Sequence, residues 1–204
     1  MTEKQENLFQ SLSRMIDGGT DPAEHQSEIW KRFGETVAVL VMDSSGFSRT
    51  SQSNGIVHFL TRLMQLRRLC APLFEVRNCH RLRFEADNAY ATFRSVDDAV
   101  RAAEDVHHAL QQSGLMLTPG EAMTVSIGIG YGELLYSETL EGYFGNEMNF
   151  ASKLGEDLGN GRETRLTESA YKHASIALRA GFHAETVEMS GVSIPHYTQC
   201  LTSK

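Results

Sequence analysis

The sequence predicts an α/β (α+β) fold in which helices pack against a mainly antiparallel sheet. Three observations carry that prediction. The patterns run strand, helix, hairpin, helix, strand, helix, strand, the alternation that such sandwiches show. The run Thr36-Val-Ala-Val-Leu-Val-Met42 is apolar on both faces, as a strand covered on both sides must be. The stretch from Arg81 to Phe93 reads as two short strands around a tight turn at Asp87-Asn88.

The chain has 204 residues, 41% hydrophobic and 22% charged. That is enough for one core of about 150 residues plus an appendage. We divide it into a helical lead-in, residues 1–34, and one domain, residues 35–204. A net charge of -7 argues against a nucleic-acid-binding surface. No apolar run approaches the roughly 20 residues of a membrane helix, and the N-terminus lacks the basic-then-apolar order of a secretory signal. Cys70, Cys79 and Cys200 show no metal spacing and cannot all pair, which fits a reducing compartment. The expectation is a cytoplasmic protein without nucleic-acid or membrane partners.

In chain order, Leu8, Leu12, Met15 and Ile16 have helical spacing, broken by Asp17-Gly-Gly-Thr-Asp-Pro22; a second helix runs from about Pro22 to Phe33. The strand over 36–42 ends in Asp43-Ser-Ser-Gly-Phe-Ser-Arg49, where Gly46 permits a close backbone approach and Phe47 can plug the core. Residues 54–76 form a long helix whose Arg62, Arg67 and Arg68 read as a solvated face. Ser95 and Asp98 start another helix, ended by Gly114, with His107 and His108 near its end where imidazolium suits the helix dipole. Residues 123–133 form a strand whose Gly128, Gly130 and Gly132 line one face, so that something can approach its backbone closely. Residues 144–158 form a helix on which Asn149 and Lys153, four apart, share a face. A short strand at 165–167, a helix capped by Thr167 and a hairpin over 184–200 complete the chain.

Asp43 at a strand end and Asp87 at a hairpin tip, brought together, make an oxygen-rich site suited to a hard divalent cation. For each alone, a turn-capping carboxylate is the simpler account.

Four stretches together resemble the class III nucleotidyl cyclases, the adenylate and guanylate cyclase catalytic domain. They are Val-Leu-Val-Met-Asp43-Ser-Ser-Gly-Phe-Ser, Arg83-Phe-Glu-Ala-Asp87-Asn-Ala-Tyr-Ala-Thr-Phe, Ser126-Ile-Gly-Ile-Gly-Tyr-Gly-Glu133 and Phe144-Gly-Asn-Glu-Met-Asn149-Phe-Ala-Ser-Lys153-Leu. They occur in the family's order and cover roughly residues 35–200. The resemblance implies a ferredoxin-like cyclase core working as a homodimer, with active sites at the interface. It implies that Asp43 and Asp87, assisted by a carbonyl near Ser44, hold two divalent ions, Mg²⁺ or Mn²⁺. Gly46 and Phe47 would contact the nucleoside triphosphate, Arg83 and Glu141 its base. Asn149 would orient the ribose and Lys153 would stabilise charge on the α-phosphate, both from the partner subunit.

The chain departs from the family pattern in four places. Lys153 stands where Arg is common, so charge is kept but the bidentate fork is lost. Arg83 and Gly142 stand where adenylate cyclases usually carry Lys and Asp. The tail reads Glu188-Met-Ser-Gly-Val-Ser and lacks the usual Lys. Arg83 can donate to adenine N1 or guanine O6, so ATP is favoured over GTP on family frequency alone. The rival reading is a catalytically weak or inactive cyclase-like module that binds nucleotide and signals by dimerisation. A palm-like polymerase would want paired acids in the hairpin, which Glu85-Ala-Asp87-Asn does not supply.

Overall fold

The computed structural model of the chain describes residues 6–140, 142–158, 161–189 and 191–200. The lead-in comprises α1 (Leu8–Asp17), a 3₁₀ turn (Pro22–His25) and α2 (Gln26–Phe33). Then follow β1 (Gly34–Ser44), α3 (Phe47–Asn54), α4 (Ile56–Val76), β2 (Arg81–Glu85), β3 (Asn88–Phe93) and α5 (Val96–Ser113). A small hairpin, β4 (Met116–Thr118) and β5 (Glu121–Ala122), leads to the long β6 (Val125–Ser137) and the short β7 (Gly142–Phe144). Helix α6 (Asn146–Ser152) runs on as a π-helical turn (Lys153–Asp157). The chain continues through β8 (Glu163–Thr167), α7 (Glu168–His173), α8 (Ile176–Arg179), β9 (His183–Met189) and β10 (Val192–Cys200).

Among the described residues the main sheet has the order β2-β3-β1-β6-β8-β10-β9, with β7 paired to β6. Its pairings are antiparallel except β6 with β8. This is the mixed α+β architecture that the sequence predicts. Period-two alternation divides β1 between two cores. Ala38, Leu40 and Met42 pack with Phe59, Leu66 and Phe74 of α4 and Ala99, Ala103 and Val106 of α5. Val37, Val39 and Val41 pack on the opposite face with Leu134, Tyr143 and Ala151.

The glycines of β6 are explained by what lies on them. A Cβ at Gly128 would stand 2.1 Å from the Ala151 carbonyl oxygen, and one at Gly130 would stand 2.5 Å from that of Glu147. A Cβ at Gly155 would in turn meet the Val41 carbonyl oxygen at 2.7 Å. The close approach expected from the sequence is therefore made by α6 and its π turn, backbone against backbone. Glu147 fastens the start of this helix: Oε2 accepts from the Tyr131 N–H (3.1 Å) and the Thr167 hydroxyl (2.6 Å).

The lead-in is docked rather than loose, since Leu8 and Ile29 are buried. Glu6 accepts from Arg14 (2.8 Å) and Arg32 (3.1 Å), tying α1 to α2.

Several expectations shift. The second helical stretch divides into a 3₁₀ turn and α2. Helix α3 was not foreseen from a polar run; Gly46 (φ +95°) and Gly55 (φ +85°) bracket it. The hairpin turn falls on Ala86-Asp87, one residue early, and Asn88 already pairs with Glu85. Strand β6 continues unbroken through residues 134–137. His107 does not serve the helix dipole as an imidazolium: burial pushes it down to about 4, and it bonds Thr164 Oγ1 at 3.1 Å. The three cysteines are free, and no helix among the described residues is long and apolar enough to cross a membrane.

Because the Ala151 carbonyl cannot retreat without moving the helix, Gly128→Ala should destabilise the chain by about 1–3 kcal/mol. Urea unfolding checks this; an unchanged midpoint would show that α6 does not rest on β6.

Candidate functional site

Asp43 extends the alternation Val37, Val39, Val41, so it belongs to the sheet face that carries α6. In register it lies between Asn88 on β3 and Ser126 on β6. Asp87 occupies the adjacent turn, entered through Ala86 at φ +46°, a left-handed value that a non-glycine residue adopts only at a cost. Arg67 holds this turn by donating Nη2 to the Ala86 carbonyl, with its guanidinium 5.2 Å above the Phe84 ring. Arg67 is thus not the solvated residue that helical spacing alone predicts; it reaches across to brace the turn bearing Asp87.

Burial pushes the Asp43 carboxyl up to about 7, and the nearby charges of Asp87 and Glu156 add to the rise, against a lowering by the Ser44 backbone. Glu156, on the π turn, is a site residue that sequence reading missed, because only the packing of α6 over β1 brings it there. Among the described residues no group of three or more His, Cys, Asp or Glu side chains could hold a metal ion by itself. One buried oxygen beside the two aspartates nevertheless has no hydrogen-bond partner: Asn88 Oδ1, on the residue opposite Asp43 in register. Two carboxylates with a neutral amide oxygen on the adjoining strand are the donor set of a hard divalent ion that keeps open positions for phosphate and water. The residues present fit Mg²⁺ or Mn²⁺.

Further along the same face lies a cavity of about 520 Å³, lined in part by Arg83, Tyr90, Tyr136, Glu138, Gly142 and Met148. Arg83 sits one two-residue step, about 7 Å, along the strands from the level of Asp43. It pairs with Glu85 at 2.9 Å and lies 5.1 Å from the Tyr90 ring centroid. The cavity wall is stiffened by Arg81, 3.9 Å over the Tyr136 ring and 3.0 Å from Glu35, while the Tyr143 hydroxyl donates to Glu35 at 2.8 Å. Burial and the Glu35 carboxylate raise the Tyr143 hydroxyl well above the usual phenol range. Glu141, expected to read the base, lies outside the described residues. Glu138 brings a carboxylate to the cavity that no sequence pattern marked.

Gly46 adopts φ +95°, and a Cβ there would stand 2.7 Å from Leu117 Cδ2, so the position requires glycine. Phe47 opens α3 immediately after it. Asn149 is exposed and Lys153 half-exposed. Since Glu147, Ala151 and Gly155 face the sheet, residues 149 and 153 point away from it. One chain therefore brings together Asp43, Ser44 and Asp87, places Arg83 and Gly142 in a neighbouring cavity, and turns Asn149 and Lys153 outward.

No protein-family model and no curated protein matches the sequence. Solved structures match its fold. The adenylate/guanylate cyclase/hydrolase from Silicibacter pomeroyi superposes with a TM-score of 0.72 at 20% identity, covering 83% of this chain and 98% of that one. The guanylyl cyclase Cya2 gives 0.67 at 20% identity, covering 81% and 91%. Adenylate cyclase from Trypanosoma brucei, in its monomeric state, gives 0.64 at 18% identity, covering 80% and 88%. The chain has the class III nucleotidyl cyclase fold.

The raised Asp43 carboxyl has a stability consequence in metal-free protein. The folded chain holds that proton more tightly than the unfolded chain, so the contribution is full below pH 4 and is lost as pH rises through about 7. His107 works in the opposite sense between about 4 and 6.5, so the comparison must be with a variant. In EDTA, Asp43→Asn should melt higher than the parent at pH 8 and lose that advantage at low pH. An equal difference at both ends would refute the buried proton.

Proposed function

We propose that the chain is a nucleotidyl cyclase, converting ATP to cyclic AMP and pyrophosphate as a homodimer with its sites at the interface. The observation that carries this reading is the meeting of Asp43 with the braced Asp87 turn, beside the partnerless buried oxygen of Asn88, on a cyclase fold. When bound between these carboxylates, two divalent ions would lower the pKa of the ribose 3′-hydroxyl and neutralise the triphosphate.

The protein's own part is placement and charge. Asp43 and Asp87 hold fixed negative oxygens at the strand ends, so little reorganisation is needed as the reaction proceeds. Gly46 and the N-terminus of α3 follow Asp43 after two serines, where backbone N–H groups can face phosphate oxygens. Arg83 donates to the base, to adenine N1 or guanine O6, and Glu138 or Glu141 accepts from its amino group. ATP is the substrate we favour; guanylate and adenylate cyclases both occur among the structural neighbours.

The outward direction of Asn149 and Lys153 supports a dimer. In a two-fold pair these side chains can enter the partner's site, Asn149 to orient the ribose and Lys153 to meet charge on the α-phosphate. Lys153 acts there as a point charge, without the fork of an arginine.

The primary test is product formation with Mn²⁺ and either ATP or GTP, resolved by chromatography. Asp87→Ala should abolish turnover and leave the chain folded by circular dichroism; retained activity at saturating Mn²⁺ would refute its role. No cyclic nucleotide from the folded parent would favour the non-catalytic module instead. Mixing inactive Asp43→Ala and Lys153→Ala chains should restore up to about a quarter of parental activity, because half the two-fold dimers then contain one intact site of two. Failure of complementation between chains that do exchange would place all residues of a site in one subunit.

A further inference from the structure

Three groups beside Asp43 have no role in the proposed reaction: Asn88, Tyr90 and Glu156. Their hydrogen bonds form a directed chain. The Tyr90 hydroxyl donates its single proton to Glu156 Oε1 at 3.2 Å. Its oxygen is then left as an acceptor, and Asn88 supplies the donor, Nδ2, at 3.3 Å. Because the amide must present nitrogen to Tyr90, its oxygen is turned the other way. That oxygen, Asn88 Oδ1, is buried and makes no hydrogen bond. A buried amide oxygen left without a partner is costly unless something fills its place.

Its position names what that is. Asn88 follows Asp87 directly and lies opposite Asp43 in the β1–β3 register. The two aspartates lack a third ionisable ligand among the described residues, and an amide oxygen is a suitable neutral ligand for a hard cation. The geometry points to Asn88 Oδ1 as a third protein ligand of the divalent ion held by Asp43 and Asp87, with Tyr90 and Glu156 as the positioning residues that fix its direction. This inference rests on the metal role proposed for the two aspartates. Tyr90 also lines the cavity and lies under Arg83, so the residue that aims the ligand forms part of the wall proposed for the base.

The test is Mn²⁺ binding, read by loss of the free-ion paramagnetic resonance signal, with the full chain alone and with a non-cyclising α,β-methylene analogue of ATP. Asn88→Leu should weaken Mn²⁺ binding about tenfold, and Tyr90→Phe, which keeps the ring and removes only the hydroxyl, should do so by a similar factor. Asn88→Asp, which restores an oxygen, should recover binding, whereas lost packing would not be recovered. Parental affinity in both Asn88→Leu and Tyr90→Phe overturns the assignment, as does a loss that Asn88→Asp fails to rescue. Should Asn88→Leu not fold, Tyr90→Phe decides alone. If the parent binds Mn²⁺ and loses it in these variants yet makes no cyclic nucleotide, the ligand assignment stands and the proposed reaction falls.

Discussion

The arrangement depends on one steric constraint: a helix lies directly on a strand because that strand has no side chains beneath it. Gly128 and Gly130 on β6, and Gly155 on the π turn, remove the Cβ atoms that would hold the two backbones apart. Sheets and helices ordinarily keep their distance through interleaved side chains, so this contact is unusually thin. It brings Glu156 within the field of Asp43, and it leaves positions 149 and 153 no choice but to look outward. Glu147 secures the helix start from beneath. Asp43 with Asp87, the neighbouring cavity and the outward pair are all placed relative to that single contact.

The same face is tied to the lead-in. Glu35, the second residue of β1, follows α2 with only Gly34 between, and its carboxylate holds Arg81 and Tyr143 in the cavity wall. A displacement of α2 along its axis would reach that wall through one residue of strand. At the other end of the face, Arg67 connects α4, on the opposite core, to the Asp87 turn. Both cores therefore have a mechanical purchase on the site, one at each end.

Much of this was legible in the sequence because it follows from periodicity and turn chemistry. The two-faced strand at 36–42, the Ser95 cap, the Thr167 cap and the role of alternate glycines in β6 are local signals, and they hold. What was not legible depends on neighbours distant in sequence. Arg67 looks solvated on a helical wheel, because nothing local marks its bond to the Ala86 carbonyl. His107 sits near a helix end, but its burial comes from the sheet beneath α5 and its bond to Thr164. Helix α3 is polar and flanked by glycines, so neither apolar periodicity nor a side-chain cap announces it. Asn88, Glu138 and Glu156 are ordinary polar residues until tertiary structure sets them beside Asp43 or in the cavity.

The π turn at residues 153–157 bears on how this chain can be compared with any other. An α-helix drifts by about 40° for every four residues stepped, so positions 147, 151 and 155 would progressively leave the strand. The wider i→i+5 turn reverses that drift and returns Gly155 to the sheet. It also holds one residue more than an α turn over the same span. A residue-by-residue alignment to a chain with an unbroken α-helix here will therefore match Asn149 correctly and fall one position out of step beyond Lys153. Glu156 is then set against the wrong counterpart, and only superposition of backbones, not counting of letters, keeps it beside Asp43.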